Sequence, residues 1–263
     1  MPPTNFSFAT DLPAVSSVSE LPPTGGLCAI HQPNLLPRLS TLAKLFAADY
    51  WIVLDDVQFA RRDYQHRARL ADLGDPCRRQ WLTISTRLPQ GRQTPICEAL
   101  MTDPARSRRC LAQLLLQYYR ASPHWPAFGR ALDPVLDLFA TTNKTVEVAE
   151  ASTRVLLNLL GWQGRVLRSS LFAPRTGRSQ RLADLAALTG ARAYLCGTGG
   201  MTYLETDVFT TRNITIIPFR APTTGPLWAG QDVSAVHFLM CLGPQTLADQ
   251  LRARSGSAAL GCR

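Results

Sequence analysis

Several short stretches of this chain set chemically competent side chains directly after apolar runs. His31-Gln32-Pro33-Asn34 follows the run Leu27–His31 and is closed by Pro37. An imidazole and two amides on a proline-stiffened turn suit a fixed binding or proton-transfer site. A hydrogen-bonded loop histidine is the plainer reading of the same residues. Asp55-Asp56-Val57-Gln58-Phe59 ends a second apolar run. Its adjacent carboxylates could orient His31, hold a divalent cation or bind an amine; one of them could equally cap the next turn. Tyr64-Gln65-His66-Arg67 follows, among Arg61, Arg62 and Arg69. It reads as an anion-facing loop with an aromatic able to stack, or as a solvated basic surface.

Two later stretches add to these. Between Gln163 and Arg181 stand Arg165, Arg168, Arg175, Arg178 and Arg181 with no acidic residue, alongside the hydroxyls of Ser169, Ser170, Thr176 and Ser179. Gly177 precedes a helix start there, and a helix N-terminus beside arginines suits phosphate, although no Walker pattern is present. Cys196-Gly197-Thr198-Gly199-Gly200 follows a strand-like run. A turn of this kind exposes its first side chain and aims backbone N–H groups into one hollow, which suits a thiolate nucleophile with an oxyanion hole. The alternative is a buried, inert thiol beside a backbone-lined pocket. His237 and Cys241, four apart on a helical stretch, read as core packing, and no metal site is expected because His124 and Cys110 offer no ligand spacing.

The elements that must position these groups follow from the apolar pattern. The chain has 263 residues, 46% hydrophobic and 18% charged, enough for a sizeable core. Mean hydropathy is −0.04, and no apolar run approaches the roughly 18 residues of a membrane span. The N-terminal stretch lacks the basic start and apolar segment of a secretory signal. Seven cysteines without a CxxC pair fit a reducing compartment, so a cytoplasmic protein is expected. Net charge is +9, carried almost wholly by arginine, since Lys44 and Lys144 are the only lysines. Arginine forks favour doubly charged planar oxygens, although a GC-rich coding sequence would give the same bias without a function.

Short apolar runs alternate with helical patterns. Strands are expected at Leu27–His31, Trp51–Leu54, Trp81–Ser85, Arg165–Arg168, Ala193–Cys196 and Ile214–Pro218. Helices are expected at Ser40–Ala48, Pro104–Ala121, Pro126–Ala140, Thr145–Leu160, Ser179–Leu188 and Ser234–Cys241. This order predicts an α/β fold: a mostly parallel sheet with flanking helices and a helical insertion in the middle of the chain, at about 104–161. Residues 1–25 read as a disordered leader, 26–250 as a single α/β domain and 251–263 as a flexible tail. Ligands of such sheets sit at strand carboxyl ends, so the loops bearing His31, Asp56, Arg67 and Gly197 are expected to line one cleft.

The motifs taken together resemble the WbqC-like protein family, from about Cys28 to Leu247. The resemblance rests on Ile30-His31-Gln32-Pro33-Asn34 with Pro37; Leu54-Asp55-Asp56-Val57-Gln58-Phe59; Gln65-His66-Arg67-Ala68-Arg69; Trp81-Leu82-Thr83; Tyr194-Leu195-Cys196-Gly197 with Gly200 and Tyr203-Leu204; and Val233-Ser234 through Gly243-Pro244. It implies a tailoring role in surface-glycan or specialised-metabolite biosynthesis. Against the family's pattern this chain has Arg38 where an aromatic is usual and Cys196 where Ser is common. His237 and Cys241 stand where Asp and Asn are more frequent.

The leading functional expectation is an acyl-transfer or amide-forming enzyme using a thioester or similar donor and no cofactor. Cys196 would attack the acyl carbon, His31 would move the proton, and Asp55 or Asp56 would hold the imidazole. Gln32, Asn34, Gln58, Tyr64, His66, Ser169, Gly197, Gly199, Gly200 and Tyr203 would bind the small-molecule substrate. Arg67, Arg165, Arg168 and Arg178 would receive a phosphopantetheine arm or an acidic carrier protein. The alternatives are a transferase for nucleotide-activated or phosphorylated substrates, and a non-catalytic scaffold of a biosynthetic complex. Nucleic acid and membrane are not expected as partners: the arginines are not interleaved with aromatics along one helix or strand, and no standard nucleic-acid motif is present.

Overall fold

The computed structural model describes residues 26–172, 177–220 and 232–259. The leader expected over 1–25, Arg175 and the final residues 260–263 lie outside the described residues. In chain order the strands are β1 (Leu27–His31), β2 (Tyr50–Val53), β3 (Arg67–Ala71), β4 (Arg79–Thr83), β5 (Thr86–Arg87), β6 (Leu100–Met101), β7 (Arg165–Arg168), β8 (Ala193–Gly197) and β9 (Thr215–Phe219). The helices are α1 (Leu39–Phe46), α2 (Pro104–Tyr119), α3 (Trp125–Thr141), α4 (Thr145–Leu159), α5 (Arg178–Leu188), the short α6 (Asp207–Thr210), α7 (Ala235–Leu242) and α8 (Pro244–Ala259).

Five strands form one parallel sheet in the order β7-β2-β1-β8-β9. All four residues of β2, Tyr50-Trp51-Ile52-Val53, are buried, as a strand covered on both faces requires. One face packs Ala29, Trp51, Val53 and Leu195 against α1 to α4, α7 and α8. The other packs Cys28, Ile30, Tyr50, Ile52, Tyr194 and Cys196 against α5 and α6. The α/β architecture and the helical insertion, α2 to α4, are as the alternation of patterns predicts. Two small antiparallel pairs, β3–β4 and β5–β6, share the long excursion between β2 and β7.

Local signals explain the helix ends. Asp103 caps α2 by accepting the Arg106 N–H at 2.8 Å, with Pro104 opening the first turn. Ser234 caps α7 in the same way through the Val236 N–H at 3.3 Å. The chain turns out of α4 at Gly161, whose φ of +74° favours glycine. Strand β3 is absent from the pattern-based reading because Arg67 and Arg69 mask it. Its inward residues Ala68 and Leu70 are fully buried against the fully buried Leu82 of β4. The final helix is also new, and it runs to Ala259, into the stretch read as a tail.

Leu42 is fully buried in the core shared by α1 and the sheet. Leu42→Ala is expected to lower unfolding free energy by about 2–5 kcal/mol, read from urea denaturation. Leu116→Ala, at a largely exposed α2 position, should change it by less than about 0.5 kcal/mol.

Candidate active site

The crossover from β1 to β2 carries α1 over one face, and the crossover from β7 to β8 carries α5 over the other. β1 and β8 are therefore neighbours whose chains leave in opposite directions, the arrangement that opens a ligand crevice beyond strand carboxyl ends. Register pairing between them ends at Cys28–Tyr194, whereas β1–β2 pairing continues to His31–Val53. The seam parts where His31 and Gly197 end their strands.

His31 is tied down on several sides. Its carbonyl accepts the Leu54 N–H at 3.0 Å and the Trp51 indole N–H at 3.2 Å. Its Nδ1 lies 2.7 Å from the Gln32 carbonyl oxygen, which can only accept. The neutral ring therefore carries its hydrogen on Nδ1 and presents Nε2 as an acceptor. Burial, reinforced by the Lys44 ammonium and the Arg38 guanidinium, pushes its pKa down to about 3. Gln32 is held in turn: the Gln65 amide nitrogen donates to its Oε1 at 2.7 Å, while Gln65 Oε1 accepts the Ala60 N–H. Neither Gln65 nor Lys44 belongs to the set expected at the site. Gln65 was visible only as part of a motif, and Lys44 as one of two lysines.

The carboxylates do not orient His31. Asp55, fully buried, accepts the Ser170 N–H at 2.9 Å and the Ser170 hydroxyl at 2.8 Å. Ser169 Oγ lies 3.2 Å from Asp55 Oδ1 and 2.5 Å from Asp56 Oδ1, and Asp56 also pairs with Arg181. Both groups are turned toward the turn after β7, because β7 and β1 flank β2 on opposite sides. The basic stretch is corrected likewise, since its missing acids come from elsewhere in the chain. Arg168 pairs with the buried Glu150 of α4 at 2.6 Å, which also holds Arg154 at 2.9 Å. Arg178 lies over the exposed Tyr203 ring at 4.6 Å, and Arg165 is exposed on the edge strand.

Cys196 lies beneath its turn instead of at its exposed tip. It is 0% exposed, it belongs to the core face opposite the one His31 reaches by strand alternation, and burial pushes its thiol pKa up. Its Sγ lies 3.4 Å from the Gly197 carbonyl. A Cβ on Gly200 would come within 2.6 Å of that sulfur, which explains the glycine. The Gly200 N–H closes the turn on Gly197 O at 2.9 Å and is not free to receive an oxyanion. Gly197 and Gly199 border open space.

The remaining candidates divide. Asn34 is buried, and its amide donates to the Pro33 carbonyl at 3.1 Å. Gln58 donates to the Arg92 carbonyl at 2.6 Å, away from the seam. Tyr64 lies under the Arg38 guanidinium at 4.2 Å and against Trp81, whose ring faces Arg67 at 4.3 Å. Basic and aromatic groups thus interleave across strands and loops, where no single element shows the pattern. His66 packs on Phe59, its Nδ1 is buried without a partner, and burial with nearby Arg67 and Arg61 pushes its pKa down to about 4. Among the described residues no group of three or more His, Cys, Asp and Glu side chains gathers as metal ligands, and no helix is long and apolar enough to cross a membrane.

The sequence model of the WbqC-like protein family matches residues 32–247, spanning every loop at this seam. The chain belongs to the WbqC-like protein family. It is also similar to Uncharacterized protein Rv1507c of Mycobacterium tuberculosis, 25% identical over 193 residues that cover 73% of this chain and 80% of that protein. No solved structure matches it. Membership in the WbqC-like family suggests an enzymatic, biosynthetic tailoring role.

Two predictions follow from burial. Brief iodoacetamide treatment of the native protein should modify the exposed Cys77 and Cys241 ahead of Cys196, read by peptide mass spectrometry. Stability should also fall as pH drops from about 6.5 toward 4. In that window unfolded imidazoles bind protons that folded His31 and His66 refuse, so the unfolded state gains. His31→Gln should shrink the pH slope measured by denaturant titration.

Proposed function

We propose that the chain is a tailoring transferase that moves an acyl group directly from a thioester or similar activated donor to an amine or hydroxyl acceptor at the β1–β8 seam. The observation that carries this reading is the tautomer of His31: with Nδ1 donating to the Gln32 carbonyl, Nε2 keeps a free lone pair able to take a proton from an acceptor. In the step, the acceptor's lone pair forms the bond to the acyl carbon, His31 Nε2 takes its proton, and the thiolate departs with the electron pair of the broken C–S bond. The proton on His31 then passes to the departing sulfur. The amides beside the open Gly197 and Gly199 are the candidates for the developing oxyanion. Cys196 takes no part in this step, in keeping with its burial on the opposite core face. Asp55, Asp56 and Ser169 hold the loop after β2, and a phosphopantetheine arm or acidic carrier protein would meet the exposed Arg178 and Tyr203, Arg165 lying at the opposite, amino end of β7.

The test is turnover with acyl thioesters of coenzyme A and N-acetylcysteamine against a panel of amine acceptors. His31→Gln is expected to lower kcat by about 10²–10⁴-fold, while Cys196→Ala stays within severalfold of the parent. Accumulation of an acyl group on Cys196 in intact-mass spectra, with loss of turnover in Cys196→Ala, would replace direct transfer by the covalent route.

A further inference from the structure

Lys44 is the most unusual charge in the molecule. It is 6% exposed, and its Nζ donates to the Ile30 carbonyl at 3.1 Å. No other acceptor among the described residues meets its remaining N–H groups, and no carboxylate pairs with it. Ile30 lies just past Cys28–Tyr194, the last paired residues of β1 and β8, so the ammonium sits where the two strands part. Its pKa is pushed down to about 8, chiefly by burial. A second cation stands at the other end of α1. Arg38 precedes that helix, lies over Tyr64, and has a buried Nε without a hydrogen-bond partner. Its backbone is fixed by an antiparallel bridge to Ser234. Both cations act on His31. Two buried or half-buried cations, neither with a paired carboxylate among the described residues and both acting on one imidazole, cost free energy that a bound anion would return.

We infer that the β1–β8 seam contains an anion subsite in which Lys44 and Arg38 receive a carboxylate or phosphate group of the substrate beside His31. The inference deepens the transferase reading above and rests on the seam being the substrate site. It assigns a substrate class: the acceptor or donor carries a negative group close to the reacting atom. Lys44 binds that group as a point charge and Arg38 through its free guanidinium edge, its face being stacked on Tyr64. A bound anion would also screen His31 from the two cations that depress its basicity, so substrate would improve its own base.

The chain has two lysines, so protein labelled with [13C]lysine gives two side-chain signals, and Lys44→Met assigns them. In the free protein the Lys44 signal should titrate near pH 8, with Lys144 as the internal control. Saturating pyrophosphate or succinate should move the Lys44 midpoint upward toward about 10. A response to pyrophosphate alone assigns a phosphate-bearing substrate, and one to succinate alone a carboxylate. Arg38→Gln should weaken the anion's apparent affinity at least tenfold. The inference is overturned if neither anion moves the Lys44 signal, if potassium chloride of equal ionic strength moves it as far, or if Arg38→Gln leaves affinity unchanged. His31→Gln separates the two proposals: it should lose turnover and keep the Lys44 response. A parent enzyme that turns over acyl donors without that response would leave the transferase reading standing and this one fallen.

Discussion

The opposed departures of β1 and β8 are the constraint on which the rest of the structure depends. A parallel sheet joined by right-handed crossovers can change the direction of strand addition only by moving its helices to the other face. Here α1 covers one face and α5 the other, and the strands at the change of direction lose their pairing after Cys28–Tyr194. Backbone groups beyond that point need partners other than a neighbouring strand. The Ile30 carbonyl finds the Lys44 ammonium, whereas the His31 carbonyl keeps its bond to the Leu54 N–H on the β2 side and gains the Trp51 indole. The gap in the ladder and the polar groups around it thus have one topological origin.

Charge pairing then decides which arginines remain available. Asp232 receives Arg69 and Arg79, Glu150 receives Arg154 and Arg168, Asp56 receives Arg181, and Asp184 receives Arg212. Several of these pairs join residues more than a hundred positions apart, so the net positive charge of the chain says little about where an anion would bind. Pairs at half-exposed positions contribute modestly. Glu150 is the exception, because removing either arginine would leave a buried carboxylate less well compensated.

Much of the fold was legible because parallel strands and amphipathic helices write strong periodic patterns. β1 and β7 coincide with their expected bounds, and the helices of the insertion are displaced by at most two residues. What was hidden depended on contacts between distant segments. β3 alternates arginine with Ala68 and Leu70, and only its pairing with β4 reveals an inward face. The site was half legible. The carboxyl-end rule selects the loop of His31, and the structure places that loop where β1 and β8 part. The rule is silent on which way a side chain turns, and the alternation that puts Leu195 on one core face puts Cys196 on the other. A thiol ahead of a glycine turn looks like a nucleophile in one dimension; the close approach of Gly200 to its sulfur shows why the glycine is there. Lys44 was invisible as a site residue because a lysine in an eight-residue helix ordinarily faces solvent.

The same cations that make the seam attractive to an anion make His31 a poor base while the seam is empty. An imidazole whose conjugate acid has a pKa near 3 withdraws protons weakly at neutral pH. Burial is the larger cause, and it persists when substrate displaces water. The contributions of Lys44 and Arg38 are different, because a negative group bound beside them offsets their repulsion of a ring proton. Base strength would therefore depend on occupancy: an acceptor lacking the negative group would enter beside an imidazole still too acidic to take its proton. Discrimination then arises at the proton-transfer step as well as in binding, so a neutral analogue should be penalised in kcat and not only in KM. Lys44, placed by a topological gap in the sheet, would then tune the proton affinity of the residue at the end of β1.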